Sequence, residues 1–336
     1  MKGIITGIIL LFTFSAWGQD AVDSLVRVGI EHHDNGQYEK AITTYKAALE
    51  LAPNSSRVNY ELAMTYMYVK AYKKSIKYCD KVLKADDNYQ LQAYTTKGSS
   101  LDYLGKTKKA IETYNTAIDK YGDNYLLYYN LGYTYYKQND FKNADLNFIK
   151  AINEKSNHTT SHLMLGISLY KQDMRVQSLL CLYYFLFLEP NTGRSETAYS
   201  LLKEQMVGNV KKDEDNPNNI SVFVDSDMPD TEFGAADIML SMLEASNTIA
   251  ENKLKSDEEL FIDNTTSFFK VLGELNDDKD GLWWKFYVPF FYDVANSDHI
   301  DTFCFYIIHG QNTKADDWLS ENKNRLETFS NWLKEN

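Results

Sequence analysis

The sequence predicts an all-α chain: five helix-turn-helix units and a capping helix in one array, then a smaller helical domain. Three observations carry that prediction. Gly98, Gly132 and Gly166 stand 34 residues apart, each with a bulky residue four before it, an apolar or aromatic residue three after and a small residue twelve after. The composition is 44% hydrophobic and 24% charged with five prolines, which excludes a wholly disordered or collagen-like chain. Beyond residue 220 the signals are capped segments of helical period. A length of 336 residues gives room for two domains of ordinary size.

The chain opens MKGIITGIILLFTFSAWGQD, in which Lys2 gives a positive start, Ile4 to Phe14 an apolar run and Ala16-Trp17-Gly18 a small-x-small cleavage site. Residues 1–18 are therefore expected to be a secretory signal. The apolar run falls short of the roughly twenty residues that a membrane span needs. A secreted or periplasmic protein is the expectation, with no transmembrane span after cleavage.

Registering the chain on the glycine spacing gives units 22–55, 56–89, 91–124, 125–158 and 159–192, with Gln90 inserted between the second and third. The first unit carries Val28-Gly29, Gly36, Tyr38, Ala41, Tyr45, Ala48 and Pro53. Equivalent places in the fourth hold Tyr128, Leu131-Gly132, Tyr135, Ala144, Phe148 and Ala151. On these residues the chain resembles the tetratricopeptide repeat family over about 171 residues. The second unit departs, with Ala63, Ser75 and Cys79 in the glycine, alanine and aromatic slots. Small residues belong where the two helices of a hairpin cross closely. Since one hairpin cannot bury its apolar face, three or more must stack, and the resemblance implies a right-handed superhelix with one concave wall.

In this family partners lie along the wall lined by the first helix of each hairpin, helix A. The resemblance carries that wall onto Tyr60, Met64 and Tyr68 in the second unit, Tyr103 in the third, Tyr129, Tyr133, Tyr136 and Lys137 in the fourth, and Tyr170 and Lys171 in the fifth. Tyrosine presents a broad apolar face, a hydroxyl tip and few torsions to freeze, so such a wall suits a protein or peptide. Glycan binding along the tyrosines is a second reading. The Lys/Asn/Arg clamp by which one subfamily grips a terminal carboxylate is missing, because its places hold Val26, Ile30, Gln92 and Thr96.

Ser195 to Val207 reads as the capping helix, so the array is expected over residues 22–207. VKKDEDNPNN (210–219) is polar and broken by Pro217, which places a linker at 208–219. In the remaining domain, 220–336, ISVFV is strand-like, Asp230 or Thr231 can start a helix, and Ser256 with Glu259 forms a capping box. One last helix is expected over 313–334. Between these, DGLWWKFYVPFFYDV (280–294) holds seven aromatics in fifteen residues. A helix apolar nearly all round is buried or spans lipid, and Lys285 and Asp293 argue for burial.

Catalytic signatures are weak. Asn276 to Gly281 spaces oxygens as a calcium loop does, yet Tyr287 stands where the bidentate acid belongs. His158 and His162 are four apart with no glutamate between them, and Asp293, Asp298, His299 and Asp301 read as a helix connection. No catalytic residue, metal site or cofactor is expected. Cys79, Cys181 and Cys304 lie in apolar runs and read as buried thiols. The net charge of −12 is +3 over residues 1–192 (22 basic, 19 acidic) and −15 over 193–336 (13 basic, 28 acidic). No basic surface dominates, which argues against nucleic acid. The acidic half can instead be drawn to lysines of the array, an intramolecular contact. The functional expectation is a non-enzymatic binding adaptor; the alternative is an enzyme or glycan-binding protein whose C-terminal domain acts while the array recruits.

Overall fold

One residue in each A-to-B turn adopts the left-handed conformation, and these residues recur in register: Gly36, Lys70, Gly105, Asn139 and Asp173, with φ of 71°, 58°, 72°, 58° and 57°. Within each unit the turns at Gly36, Lys70, Gly105 and Asp173 reverse the chain, so hairpins form there as the glycine spacing predicts. The computed structural model describes residues 20–85, 88–207, 210–212, 220–222, 232–247 and 254–335. The expected signal, Asp230 and Thr231, and most of the expected linker lie outside these.

The hairpins are α1 (20–34) with α2 (Tyr38–Leu51), α3 (Ser56–Tyr68) with α4 (Tyr72–Val82), and α5 (Gln90–Tyr103) with α6 (Thr107–Tyr121). They continue with α7 (Tyr125–Tyr136), α8 (Phe141–Glu154), α9 (Thr159–Tyr170) and α10 (Arg175–Leu188), and α11 (Gly193–Val207) follows. The small slots have their expected cause. A Cβ on Gly29 would stand 2.3 Å from the Tyr45 ring, and one on Gly98 would stand 2.5 Å from Tyr114. Where the second hairpin substitutes Ala63 and Cys79, both are fully buried in a smaller cluster with Val82 and Ala93.

The chain forms two compact units, one ending at Gln138 and the other beginning at Asn139. This division falls inside the fourth hairpin and not at 208–219. The cause lies in α10, whose residues Val176 to Tyr183, Phe185 and Leu186 are all buried. Such a helix needs cover on every side. Within the second unit α10 packs on α9, α11, α12 (Gly234–Ser246), α15 (Ile300–Ile308) and a π-helical turn at Trp283–Tyr287. The fifth hairpin is thus part of the C-terminal core.

Beyond α11, β1 (Val210–Lys212) pairs antiparallel with β2 (Ile220–Val222), Val210 opposite Val222. The first three residues of the strand-like segment form a strand, and its partner lies in the stretch expected as linker. Helix α13 (Asp257–Glu274) opens on the capping box: Ser256 Oγ accepts from Glu259 N, and Glu259 accepts from Ser256 N at 2.7 Å. The aromatic run makes the π-turn and then α14 (Val288–Asn296). Pro289 has no N–H to give to an intrahelical bond, which accounts for the wide turn before it. Its buried face is Trp284, Tyr287, Val288, Phe291 and Val294.

The expected single helix over 313–334 is two, α16 (Thr313–Glu321) and α17 (Lys323–Glu335). At the break, Asn322 donates from both its backbone and side-chain nitrogens to Trp318 O. Breaking there lets Trp318 stack on Phe305 at 4.4 Å while Phe329 packs beside Phe303 and His299. Asp301 is held by Arg325 at 2.7 Å, so the Asp/His group is an ion-paired helix connection.

Candidate partner-binding surface

In the first unit the ends of successive A helices form two equivalent corners, built from different chemistry. At the first, His33 Nδ1 and Thr65 Oγ1 are 2.9 Å apart; since the Thr65 hydroxyl gives its proton to Glu61 O, the imidazole is the donor between them. The His33 ring stands edge-on to Tyr38 and Tyr68, which stack at 5.8 Å. Burial lowers the His33 pKa, so the ring works as a neutral donor.

At the other corner Asp102 takes the place of His33, Thr107 that of Tyr38, Thr134 that of Thr65 and Lys137 that of Tyr68. Asp102 accepts from Thr107 Oγ1 and Thr134 Oγ1, each at 3.3 Å, and its carboxylate ion-pairs with Lys137. The Asp102 side chain is 5% exposed. Buried charge needs such partners to persist. The Lys137 ammonium also stands 4.9 Å above the Tyr103 ring and 5.0 Å above Tyr133, a geometry of cation–π attraction.

Between the corners Tyr103 stacks on Tyr72 at 5.1 Å, and Tyr133 stacks with Tyr129 at 6.3 Å and with Tyr136 at 6.4 Å. Tyr68 and Tyr103 stay 53% and 56% exposed although each ring has one face against another ring. Such rings are held in place before anything binds. Low ordering cost is what makes a tyrosine surface adhesive.

The sequence-derived residues therefore fall into distinct settings. Tyr103, Tyr129, Tyr133, Tyr136 and Lys137 come together in the first unit, and Tyr68 stands at the other corner of that unit against His33 and Tyr38. Tyr60 turns toward the next hairpin instead, packing on Tyr89 at 5.8 Å, and burial pushes its phenol up to about 12. Met64 is partly buried on α3. Tyr170 and Lys171 belong to the second unit, where the Tyr170 hydroxyl donates to Glu204 of α11 at 2.6 Å and Lys171 lies over the Tyr170 ring. Tyr38 and Tyr72, which are no part of the expected wall, are the platforms under the exposed rings of Tyr68 and Tyr103. Their signal was their place at the head of each second helix, one turn residue from the wall.

In the second unit, His162 is buried with both ring nitrogens bonded. Nε2 donates to Ser156 O at 2.8 Å, which leaves Nδ1 to accept from the Tyr287 hydroxyl at 2.6 Å; the Cys181 thiol donates in turn to that hydroxyl. Burial lowers the His162 pKa to about 4, so it is neutral at ordinary pH. It is a structural group. Among the described residues no group of three or more His, Cys, Asp or Glu could hold a metal, and no helix is long and apolar enough to cross a membrane.

Family models described as TPR repeat match residues 29–67, and others described as tetratricopeptide repeat match 56–89 and 95–145. A curated relative, the TPR repeat-containing protein MJ1428 of Methanocaldococcus jannaschii, is 27% identical over 142 residues, 42% of this chain. The chain spans about a quarter of the length of that relative. Among solved structures, the thermophilic TPR protein TTC0263 of Thermus thermophilus is 16% identical, with 55% of this chain and 100% of that chain covered at a TM-score of 0.49. PilF of Pseudomonas aeruginosa is 18% identical, with 56% and 90% covered and a TM-score of 0.45. YrrB, described as a TPR protein with an unusual peptide-binding site, is 16% identical, with 55% and 97% covered and a TM-score of 0.40. Over residues 29–89 and 95–145, where the family models match, this chain carries tetratricopeptide repeats.

Proposed function

We propose that this chain is a non-enzymatic adaptor, exported to the periplasm or cell surface, that holds a protein or peptide along the A-helix face of its first unit. One observation carries the reading: Tyr68 and Tyr103 are more than half exposed while stacked on Tyr38 and Tyr72, and Lys137 is held between Tyr103 and Tyr133. Exposed aromatics that are already ordered bind with little entropic cost. Lys137 adds a cation whose position is set by the buried Asp102. Export rests on the leader-like residues 1–18 alone, and the N-terminal residue of protein recovered from the envelope tests it.

The binding test compares crosslinked partners recovered by the wild type with those recovered by a Tyr129→Ala, Tyr133→Ala, Tyr136→Ala variant. Loss of specific partners from the variant is expected. Equal recovery removes the groove.

A further inference from the structure

The repeat contains its own control experiment. Residues 69 apart occupy equivalent places in the first and third hairpins, and in the second and fourth, because Gln90 adds one residue to one step. Between α5 and α7, Tyr114 reaches under Gly98 and donates to Ser99 Oγ at 3.0 Å, and Ser99 passes its own proton to Asn130 Oδ1 at 3.3 Å. That gap is closed by a complete chain of bonds.

Between α1 and α3 the same three places hold Tyr45, Ile30 and Glu61. Tyr45 is wedged under Gly29 as Tyr114 is under Gly98. Ile30, however, has no polar atom to serve as the bridge. The Tyr45 hydroxyl is buried with no hydrogen-bond partner. Glu61 is partly buried, and its carboxylate takes part in no hydrogen bond or ion pair among the described residues. Arg57, one turn before it, bridges to Asp23 at 3.3 Å, and its charge acts on Glu61 and Tyr45 through space without bonding to either. Burial and then the neighbouring Glu61 charge raise the Tyr45 phenol, so the two groups feel one another across the gap. A buried polar group left unmatched is costly, and native proteins rarely keep one, such as the Tyr45 hydroxyl, without a use.

We propose that this gap is the anchor for a cationic side chain, arginine above all, of a peptide lying along the A-helix face. The inference rests on the groove reading above and names the chemistry of its guest. A guanidinium carries five N–H donors in a planar fork, so one group can give to the Glu61 carboxylate and to the Tyr45 oxygen together. A carboxylate or phosphate would meet the charges of Glu61 and Asp34. An aliphatic side chain would leave both polar groups as they are.

A random peptide library selected on the whole chain supplies the probe, and the strongest peptides are synthesised with a fluorescent label for anisotropy titration. Arginine should be enriched at one position. Glu61→Gln, and citrulline in place of that arginine, should each weaken binding about ten- to a hundredfold. Ile30→Ser, which supplies the missing bridge, should weaken it as well. The citrulline peptide is read on unaltered protein, so a folding defect cannot imitate the result. Peptides without a basic residue, or affinity indifferent to both Glu61→Gln and citrulline, overturn the anchor while loss of binding in Tyr133→Ala still supports the groove. Failure to select any peptide, or binding unaffected by Tyr133→Ala, overturns the groove and the anchor with it.

Discussion

The Tyr287 hydroxyl donates to Nδ1 of His162 across 2.6 Å of space and 125 residues of chain. It joins the aromatic run to the first helix of the fifth hairpin, inside one core. The bond is buried at both ends, so neither group can turn to water if its partner is removed.

Tyr287→Phe should therefore cost about 1 to 3 kcal/mol, the penalty of a buried acceptor left unsatisfied. Urea denaturation followed by tryptophan fluorescence measures it, since Trp283 and Trp284 lie in the same turn. His162→Leu paired with Tyr287→Phe should cost less than the sum of the two single changes.

Stability should fall as the medium is acidified from about pH 6.5 to pH 4. His162 is held neutral with a pKa near 4, against an ordinary value of 6.5, so in that window the unfolded chain binds the proton and the folded chain does not. Its contribution is intact above the ordinary value and is lost as pH falls toward the folded one, up to about 3 kcal/mol. His158 and His33, also lowered by burial, act in the same direction. Urea midpoints at successive pH values check this, and His162→Gln should flatten the slope.

Arg175 offers a third test. Its guanidinium donates to the carbonyls of Gln205 and Met206 at the end of α11 and to Asp237 and Ser241 on α12. Arg175→Ala would strand a buried carboxylate and two carbonyls, at about 3 to 5 kcal/mol. Asp237→Asn should cost less, because the carbonyl bonds survive. A double-mutant cycle on Arg175 and Asp237 separates the ion pair from the rest.

Gly98→Ala should destabilise by about 1 to 3 kcal/mol even though alanine is the better helix former, because the added methyl meets the Tyr114 ring at 2.5 Å. Tyr114→Leu in the same chain should recover part of the loss. Thermal melts of the two variants decide it.

The hairpins were legible because Gly98, Gly132 and Gly166 recur in register, and at Gly98 and Gly166 the close approach of the facing helix is the reason. The wall was legible in part: position along helix A located Tyr103, Tyr133 and Lys137, but could not separate them from Tyr60, whose ring turns to the neighbouring hairpin. The division of the chain was not legible from the linker-like VKKDEDNPNN. Its signal was LLCLYYFLFL in α10, a helix apolar on all sides that no polar-faced cap could finish. The α1–α3 gap was hidden because Ile30, Tyr45 and Glu61 are each ordinary for their places. Only comparison with Ser99, Tyr114 and Asn130 makes the mismatch visible.

The burial of α10 bears on how the protein can be cut for study. A fragment ending after α11 would lay bare Tyr183, Tyr184, Phe187 and the aliphatic residues around them, rings now sheathed by Phe269, Phe290 and Phe291. Such a stump offers a ready seam for another stump, and a truncated preparation would clump or polymerise end to end however sound its hairpins were.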